Sequence, residues 1–319
     1  MNRIWRDEDI SLEPLEGKVV VIAGYGIQGR AQALNLRDSG VKVLVGGRAE
    51  GQGIAAAAAE GFEALPTAEA ARRADVVFLL TPDETHAEMI ACALDGALRE
   101  GAALGFACGF SMTFVRPHLP ETIDVIMVSP KGPGKTLRER FLAGGGLPAL
   151  MGVERDSTGT ALKVALAYAK AIGCARLGVI ESSFAEEAHT DLFGEQAVLC
   201  GGIPRLMEEG FRLLVEAGYS PESAYLECVW EAKAIVDLIF EEGIAGMYRH
   251  ISPAARYGGL TRGSRVIDEA AREKMSAILD EIRSGEFAAE LLRGGPVDPQ
   301  AAVSRNLSDA WQRLRDALR

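Results

Sequence analysis

The stretch Lys18-Val19-Val20-Val21-Ile22-Ala23-Gly24-Tyr25-Gly26-Ile27-Gln28-Gly29 decides the fold of the first half of the chain. After Lys18 come five apolar residues, four of them β-branched, the composition of a buried strand. Three glycines follow in the pattern G-x-G-x-x-G, and a helical periodicity then runs to Leu36. Alone the glycine pattern is weak, and an ordinary glycine-rich turn satisfies it. Between a strand and a helix it reads as a dinucleotide cradle. Gly24 permits the tight turn, Gly26 lets a pyrophosphate approach the backbone, and Gly29 lets helix and strand pack closely. The helix N-terminus adds free N–H groups and a partial positive charge.

Outward from this stretch, strand-like segments recur at 41–46, 75–80, 103–106, 124–128 and 149–153. Helix-like segments lie at 54–60, 84–98 and 158–172. That alternation predicts a parallel sheet covered on both faces, an α/β Rossmann domain. The second strand ends in Gly46-Gly47-Arg48-Ala49-Glu50-Gly51-Gln52-Gly53. Arg48 can stack on adenine or bind a 2′-phosphate. Glu50 can accept from a ribose 2′-hydroxyl and repel a phosphate. No Ser or Thr lies there to hold a phosphate, so NAD(H) is favoured over NADP(H). Beyond Glu181 the pattern changes to long amphipathic helices at 184–217, 220–242 and 265–282, with a short last one at 307–319. We place the domain boundary between 1–182, the dinucleotide-binding domain, and 183–319, the helical one.

The 319 residues suffice for two domains. Hydrophobic residues at 48% and charged residues at 25% exclude a disordered or fibrous chain. A net charge of -11 without a Lys/Arg cluster argues against nucleic acid as a partner. No apolar run reaches the ~18 residues of a transmembrane helix, and residues 1–15 lack the apolar core of a leader peptide. The expectation is a cytoplasmic protein with no membrane partner. Cys92, Cys108, Cys174, Cys200 and Cys228 are widely spaced and include no C-x-x-C. That pattern indicates neither a zinc site nor a disulfide framework.

Two acidic pairs mark the helical half. Asp191 and Glu195 are four residues apart, as are Glu227 and Glu231. At that spacing each pair lies on one helix face. Leu192, Phe193, Val198, Leu199, Val229 and Trp230 around them are apolar, which predicts that these helices are substantially buried. Buried carboxylates need partners or a metal, and four of them suit a hard divalent cation such as magnesium. Solvated carboxylates on helix surfaces are the other reading of the spacing.

Ser129-Pro130-Lys131-Gly132-Pro133-Gly134 follows the strand at 124–128. Loops at the carboxyl ends of strands line the ligand crevice in this architecture. Lys131 is therefore a candidate for a catalytic or substrate-orienting role, against the plainer reading of a surface lysine in a Pro/Gly turn. His86, His118, His189 and His250 have no zinc-like spacing, and each reads as a surface or capping residue.

Together these motifs resemble class I, short-chain ketol-acid reductoisomerases. The matching stretches are 24–29 and 31–37, DVIMVSPKGPG at 124–134, TDLFGEQAVLCGG at 190–202 and ECVWE at 227–231. IVDLI at 235–239, GIAGM at 243–247, and Ile251-Ser252 ahead of Tyr257-Gly258 also match. The resemblance implies a Rossmann domain followed by an all-α, knotted C-terminal domain. It implies homodimers or higher oligomers with active sites shared across a helical interface. It also implies two Mg2+ ions. Asp191 would bridge them, Glu195 would ligate one, and Glu227 and Glu231 would reach them from a second subunit. Lys131, Glu231 and the residue at 108 would be catalytic. Ser252, Glu231 and Cys200 would meet the substrate. Pro82 and Gly134 would join Gly24, Tyr25, Gly26, Ile27, Gln28, Gly29, Arg48 and Glu50 at the cofactor. The implied reaction is alkyl migration in a 2-hydroxy-2-alkyl-3-keto acid, followed by hydride reduction to a 2,3-dihydroxy acid. The metals would act as Lewis acids in the first step.

Several positions depart from the family pattern. Cys108 stands where the family has histidine, Ile27 where it usually has serine, and Arg30 where it usually has histidine. A thiol cannot replace an imidazole as a near-neutral proton carrier without a shifted pKa. Gly51 and Gly53 occupy positions where NADP-using members carry serines, in line with NAD(H). These departures leave a second reading, a relative recruited to specialised metabolism that acts on another hydroxy or keto acid. Closing a cyclopropanol ring from a sulfonium-bearing substrate is one example. A third reading, a non-catalytic nucleotide-binding scaffold, gives no reason to retain Asp191, Glu195, Glu227, Glu231 and Lys131.

Overall fold

The computed structural model describes residues 2–294 and 304–317. The chain divides into two compact units, Met1–Ala188 and His189–Arg319. The first is built on one sheet. Its strands are β1 (Ile4–Trp5), β2 (Val19–Ala23), β3 (Lys42–Gly47), β4 (Glu63–Pro66), β5 (Val76–Leu79), β6 (Ala103–Phe106), β7 (Asp124–Pro130), β8 (Ala149–Arg155) and β9 (Val179–Glu181). They lie in the order β1-β9-β8-β7-β6-β5-β2-β3-β4. The run from β7 to β4 is parallel throughout. Numbered from β2, it is the 3-2-1-4-5-6 order of a dinucleotide-binding sheet. The chain changes direction between β2 and β5, and ligands bind outside the carboxyl ends of the strands at such a point.

The helices of this unit are α1 (Ile27–Asp38), α2 (Gln52–Ala59), α3 (Thr67–Ala71), α4 (His86–Met89), α5 (Gly134–Leu142) and α6 (Ala161–Ala171). One face of the sheet packs Val20, Ile22 and Phe78 against Ala33, Leu36, Val164 and Tyr168 of α1 and α6. The other packs Val21, Leu79, Leu104 and Phe106 against Ala70, Ile90, Leu94 and Phe184. Strands buried on both faces need the continuous apolar runs seen in the sequence.

Two expectations fail here. The sheet is not wholly parallel, because β8 runs antiparallel to β7 and β1 to β9. Pro130 pairs with Ala149, and the Lys131 N–H donates to the Pro148 carbonyl at 2.8 Å. The chain thus leaves β7 and enters β8 at the same end of the sheet, and α5 packs on α1 without crossing back. The helix expected at 84–98 is three short pieces, a 3-10 turn at Asp83–Thr85, α4, and a π turn at Ile90–Leu94.

The helical half comprises α7 (Phe184–Phe193), α8 (Gly202–Glu216), α9 (Pro221–Tyr225), α10 (Ala232–His250), α11 (Pro253–Val266), α12 (Glu269–Ser284), α13 (Glu286–Arg293) and α14 (Arg305–Ala317). π turns at Gly194–Leu199 and Leu226–Trp230 interrupt the helices expected at 184–217 and 220–242. Positions 318–319 of the expected last helix lie outside the described residues. Phe211, Ala224, Tyr225 and Ala310 form a small core between α8, α9 and α14. Among the described residues no helix is long and apolar enough to cross a membrane.

Candidate active site

The glycine cradle forms where β2 gives way to α1, with Gly26 as the N-cap. Gly24 has φ +107°, and a Cβ there would lie 2.7 Å from Thr81 Cγ2. A Cβ on Gly29 would lie 1.9 Å from the Gly24 carbonyl oxygen. Both glycines are therefore demanded by the chain's own packing. Gly26 differs, since a Cβ there would meet nothing within 4 Å. The free space over Gly26, at a helix N-terminus, is the room a pyrophosphate needs. These residues fit a dinucleotide.

The side chains around the cradle are mostly committed elsewhere. Tyr25 Oη donates to Glu60 at 2.5 Å, and Arg30 grips the same carboxylate through Nε and Nη2. Burial, then the Glu60 carboxylate, raises the Tyr25 phenol above its ordinary value. Ile27 is 75% exposed. Arg48 and Glu50 are exposed on a turn closed by the Gly51 N–H donating to the Arg48 carbonyl at 2.8 Å.

The carboxyl ends of β5, β6 and β7 supply the next groups. Pro82 opens the turn after β5 and accepts from the Thr85 N–H at 2.9 Å. Cys108, after β6, donates its S–H to Asp83 at 3.1 Å. Burial, with the Asp83 and Glu187 carboxylates adding to it, pushes this thiol well above its ordinary pKa. His86 is buried, contrary to the surface role expected of it. Its Nε2 lies 3.0 Å from the Thr81 carbonyl oxygen, which only accepts, so Nε2 carries the proton. Nδ1 then accepts from Ser111 Oγ at 2.7 Å. Burial lowers the His86 pKa below its ordinary value, keeping the ring neutral.

Glu187 is absent from the sequence-based candidates, yet it is fully buried at the centre of these loops. It accepts from Lys131 Nζ at 2.5 Å, Ser129 Oγ at 2.7 Å and the Gly109 N–H at 2.5 Å. A Cβ on Gly109 would lie 1.9 Å from the Phe184 carbonyl, so only glycine lets α7 come this close. One signal was present. Phe184, Glu187 and Ala188 share the buried stripe of α7, and a carboxylate on such a stripe requires partners.

The acidic pairs contradict the expectation of burial. Glu195, Glu227 and Glu231 are exposed and Asp191 is half-buried. Their apolar neighbours are exposed with them, Leu199 at 60% and Trp230 at 58%. Both pairs sit at π turns. The Cys200 N–H donates to the Glu195 carbonyl at 2.7 Å, and the Glu231 N–H to that of Leu226 at 3.0 Å. Such turns are frequent at functional sites. Glu227 and Glu231 line a groove of 680 Å³ with Tyr225, Trp230 and Asp237. Cys200 is exposed, and Ser252 caps α11 by accepting from the Ala255 N–H at 3.1 Å. Among the described residues no three His, Cys, Asp or Glu come together to hold a metal. The donor chemistry, carboxylate oxygen throughout, fits a hard divalent cation. Each pair alone offers two carboxylates.

Two family models match the chain. "Acetohydroxy acid isomeroreductase, NADPH-binding domain" matches residues 14–178, and "Ketol-acid reductoisomerase, C-terminal domain" matches 184–316. The chain belongs to the ketol-acid reductoisomerase family. It is 52% identical over 300 residues to the ketol-acid reductoisomerase (NADP(+)) of Pyrobaculum neutrophilum, covering 93% of this chain and 92% of that one. It is 51% identical to the enzyme of that name from Pyrobaculum islandicum, covering 92% and 90%. A solved structure titled as an NADH-preferring ketol-acid reductoisomerase from an uncultured archean superposes with a TM-score of 0.95 at 40% identity, covering 98% of both chains.

Within this ketol-acid reductoisomerase the structure gathers Gly24, Gly26, Pro82, Cys108, Lys131 and Gly134 at one end of the sheet. Asp191 and Glu195 stand as one pair, Glu227 and Glu231 as another. Of the departures from the family pattern, Arg30 is accounted for by Glu60 and Cys108 by Asp83. Nothing in the structure explains Ile27.

Proposed function

We propose that this ketol-acid reductoisomerase performs the two-step conversion of a 2-hydroxy-2-alkyl-3-keto acid with Mg2+ and NADH, as an oligomer whose metal sites are completed by a second copy. In this proposal residues 1–182 bind the nucleotide, and 183–319 form the knotted helical domain that supplies metal ligands and the dimer contact. A cytoplasmic location, with its thiols reduced, belongs to the same reading.

The observation that carries it is the Lys131–Glu187 pair. A fully buried carboxylate is costly unless answered, and here a lysine, a hydroxyl and a backbone N–H answer it at the carboxyl end of β7. The arrangement holds an ammonium group, itself 30% exposed, beside the nucleotide cradle's end of the sheet. Lys131 there orients the substrate and stabilises its negative charge, and Glu187 positions Lys131. Asp191 and Glu195 would hold Mg2+, with Glu227 and Glu231 of a second copy. Bound there, the metals would polarise the carbonyl and acidify the hydroxyl of the substrate. Ser252 accepts from a backbone N–H, which leaves its O–H free to donate to the substrate carboxylate. Cys200 and Glu231 would border the substrate. Cys108, a neutral thiol, acts as a hydrogen-bond donor to Asp83 and not as a base.

Three observations support NADH, and a fourth supports the shared site. Glu50 is exposed on the loop that follows β3, Gly51 and Gly53 stand where a phosphate would call for hydroxyls, and the solved relative is described as NADH-preferring. The Pyrobaculum relatives carry NADP(+) in their names, so the preference is a property of this loop to be measured. Trp230, Phe240, Ile244, Tyr257 and Leu260 are all more than half exposed in the single chain. Large apolar residues in that number mark a surface meant to be covered. No observation favours the recruited relative over the family substrate.

The test is oxidation of NADH and of NADPH with 2-acetolactate, with and without Mg2+, beside a Cys108→His variant. Metal-dependent turnover with NADH ahead of NADPH is expected. Tight nucleotide binding without turnover of 2-acetolactate would overturn the substrate assignment.

A further inference from the structure

Gln28, expected at the cofactor, spends its side chain elsewhere. Its Nε2 donates to the Gly132 carbonyl at 2.9 Å, in the loop that carries Lys131. Its Oε1 accepts from Gln32 Nε2 at 3.3 Å, and Gln32 Oε1 accepts from Tyr168 Oη at 2.7 Å. Gln32 and Tyr168 are fully buried. The Tyr168 ring stacks on Phe78 with centroids 3.6 Å apart. A carbonyl at the end of the series only accepts, so every amide has one orientation, and the donors run one way from Tyr168 to Gly132. A buried series of this kind is rigid when complete and costly when broken.

The same two loops also meet through backbone. A Cβ on Gly134 would lie 2.4 Å from the Ile27 carbonyl oxygen and 3.0 Å from Gln28 Cα. The glycine-rich loop and the Lys131 loop are thus interlocked by close packing as well as by the polar series.

We propose that Gln28, Gln32 and Tyr168 are positioning residues that lock the nucleotide loop to the Lys131 loop, so that occupation of the cradle holds Lys131 in its reactive place. Only the kinetic part of this rests on the catalytic role proposed for Lys131. The test is amide hydrogen exchange on the full chain, with and without NADH or NADPH, in wild type, Gln28→Met and Tyr168→Phe. Nucleotide slows exchange at both 24–29 and 131–137 in the wild type. In Gln28→Met the protection at 24–29 stays and that at 131–137 is lost. The same variant loses about tenfold in kcat, with the nucleotide KM within about twofold of wild type. Tyr168→Phe keeps the ring on Phe78 and moves both readouts in the same direction by less, and it carries the test should Gln28→Met fail to fold. Wild-type protection at 131–137 in a folded variant, or no nucleotide effect there in the wild type, overturns the proposal. Lost protection with unchanged kcat would keep the coupling and remove Lys131 from catalysis.

Discussion

In the dinucleotide-binding unit, Glu187, His86 and Asp124 are buried, and each is answered. Glu187 receives three donors, His86 is held at both nitrogens, and Asp124 takes the N–H groups of Ser157 and Thr158. In the helical unit, Glu195, Glu227 and Glu231 stand exposed beside Leu199, Trp230 and Phe240, which are exposed as well. The first unit answers these three buried groups within one chain. The second carries acids and large apolar side chains together on its exposed surface. Under the function proposed above, nucleotide binding would be a property of the single chain, and the metal chemistry a property of the assembly.

The contrast is cut most sharply at Asp191. Asp191→Asn is expected to lower Mg2+-dependent turnover by at least about a thousandfold while NADH binding, followed by fluorescence titration, stays at its wild-type value. Persistent turnover would remove the metal assignment. Glu187→Gln comes next. It strips the countercharge from Lys131 inside the first unit, so urea unfolding should show a loss of about 3 kcal/mol and kcat should fall about a hundredfold. Glu227→Gln, on the exposed side of the comparison, should match that loss of kcat and leave the thermal midpoint near the wild type. Equal destabilisation by both variants would erase the distinction between the units.

Smaller effects test the thiol and the cofactor loop. The folded Cys108 thiol keeps its proton at pH values where an unfolded thiol has lost it. The thiolate is the nucleophile, so iodoacetamide at pH 8 should label Cys108 at least about tenfold more slowly than exposed Cys92, as read by peptide mass spectrometry. The same shift has a stability consequence. The folded state holds more protons than the unfolded one above pH about 8.5, so stability declines as pH rises past that point. Buried Cys174, its thiol pushed up to about 12, adds to the decline. Cys108→Ser should flatten part of it. Glu50→Gln should reduce the NADH preference by about threefold to fivefold, the weight of one exposed hydrogen bond, and an unchanged ratio of kcat/KM values would discard that residue as a determinant.

The parallel heart of the sheet was legible because its strands are buried on both faces, and continuous apolar runs such as 19–23 and 76–79 announce themselves. The glycine cradle was legible because strand, glycines and helix are contiguous. β1 and β9 span two and three residues, too few to show a period. The antiparallel β8 depends on α5 lying along α1, a tertiary choice that no local pattern records. π turns were invisible for a related reason, since one extra residue in a turn leaves helical periodicity almost unchanged on either side. The error about the acidic helices came from reading apolar neighbours as burial within one chain. Apolar residues stand on exposed helix faces as well, as Leu199 and Trp230 do here. Glu187 was passed over because its neighbours Ser129, Lys131 and Gly109 lie 56 to 78 residues away in sequence.

Mixing two inactive variants tests the division between units most directly. Asp191→Asn and Glu231→Gln are each expected to be inactive alone. If Glu231 acts on the metals held by Asp191 of another copy, a dimer containing one of each has one site with both defects and one with none. Co-expression in equal amounts should then restore about a quarter of wild-type Mg2+-dependent activity. No recovery from assembled, nucleotide-binding mixtures would place all four carboxylates in one chain's site and contradict the account.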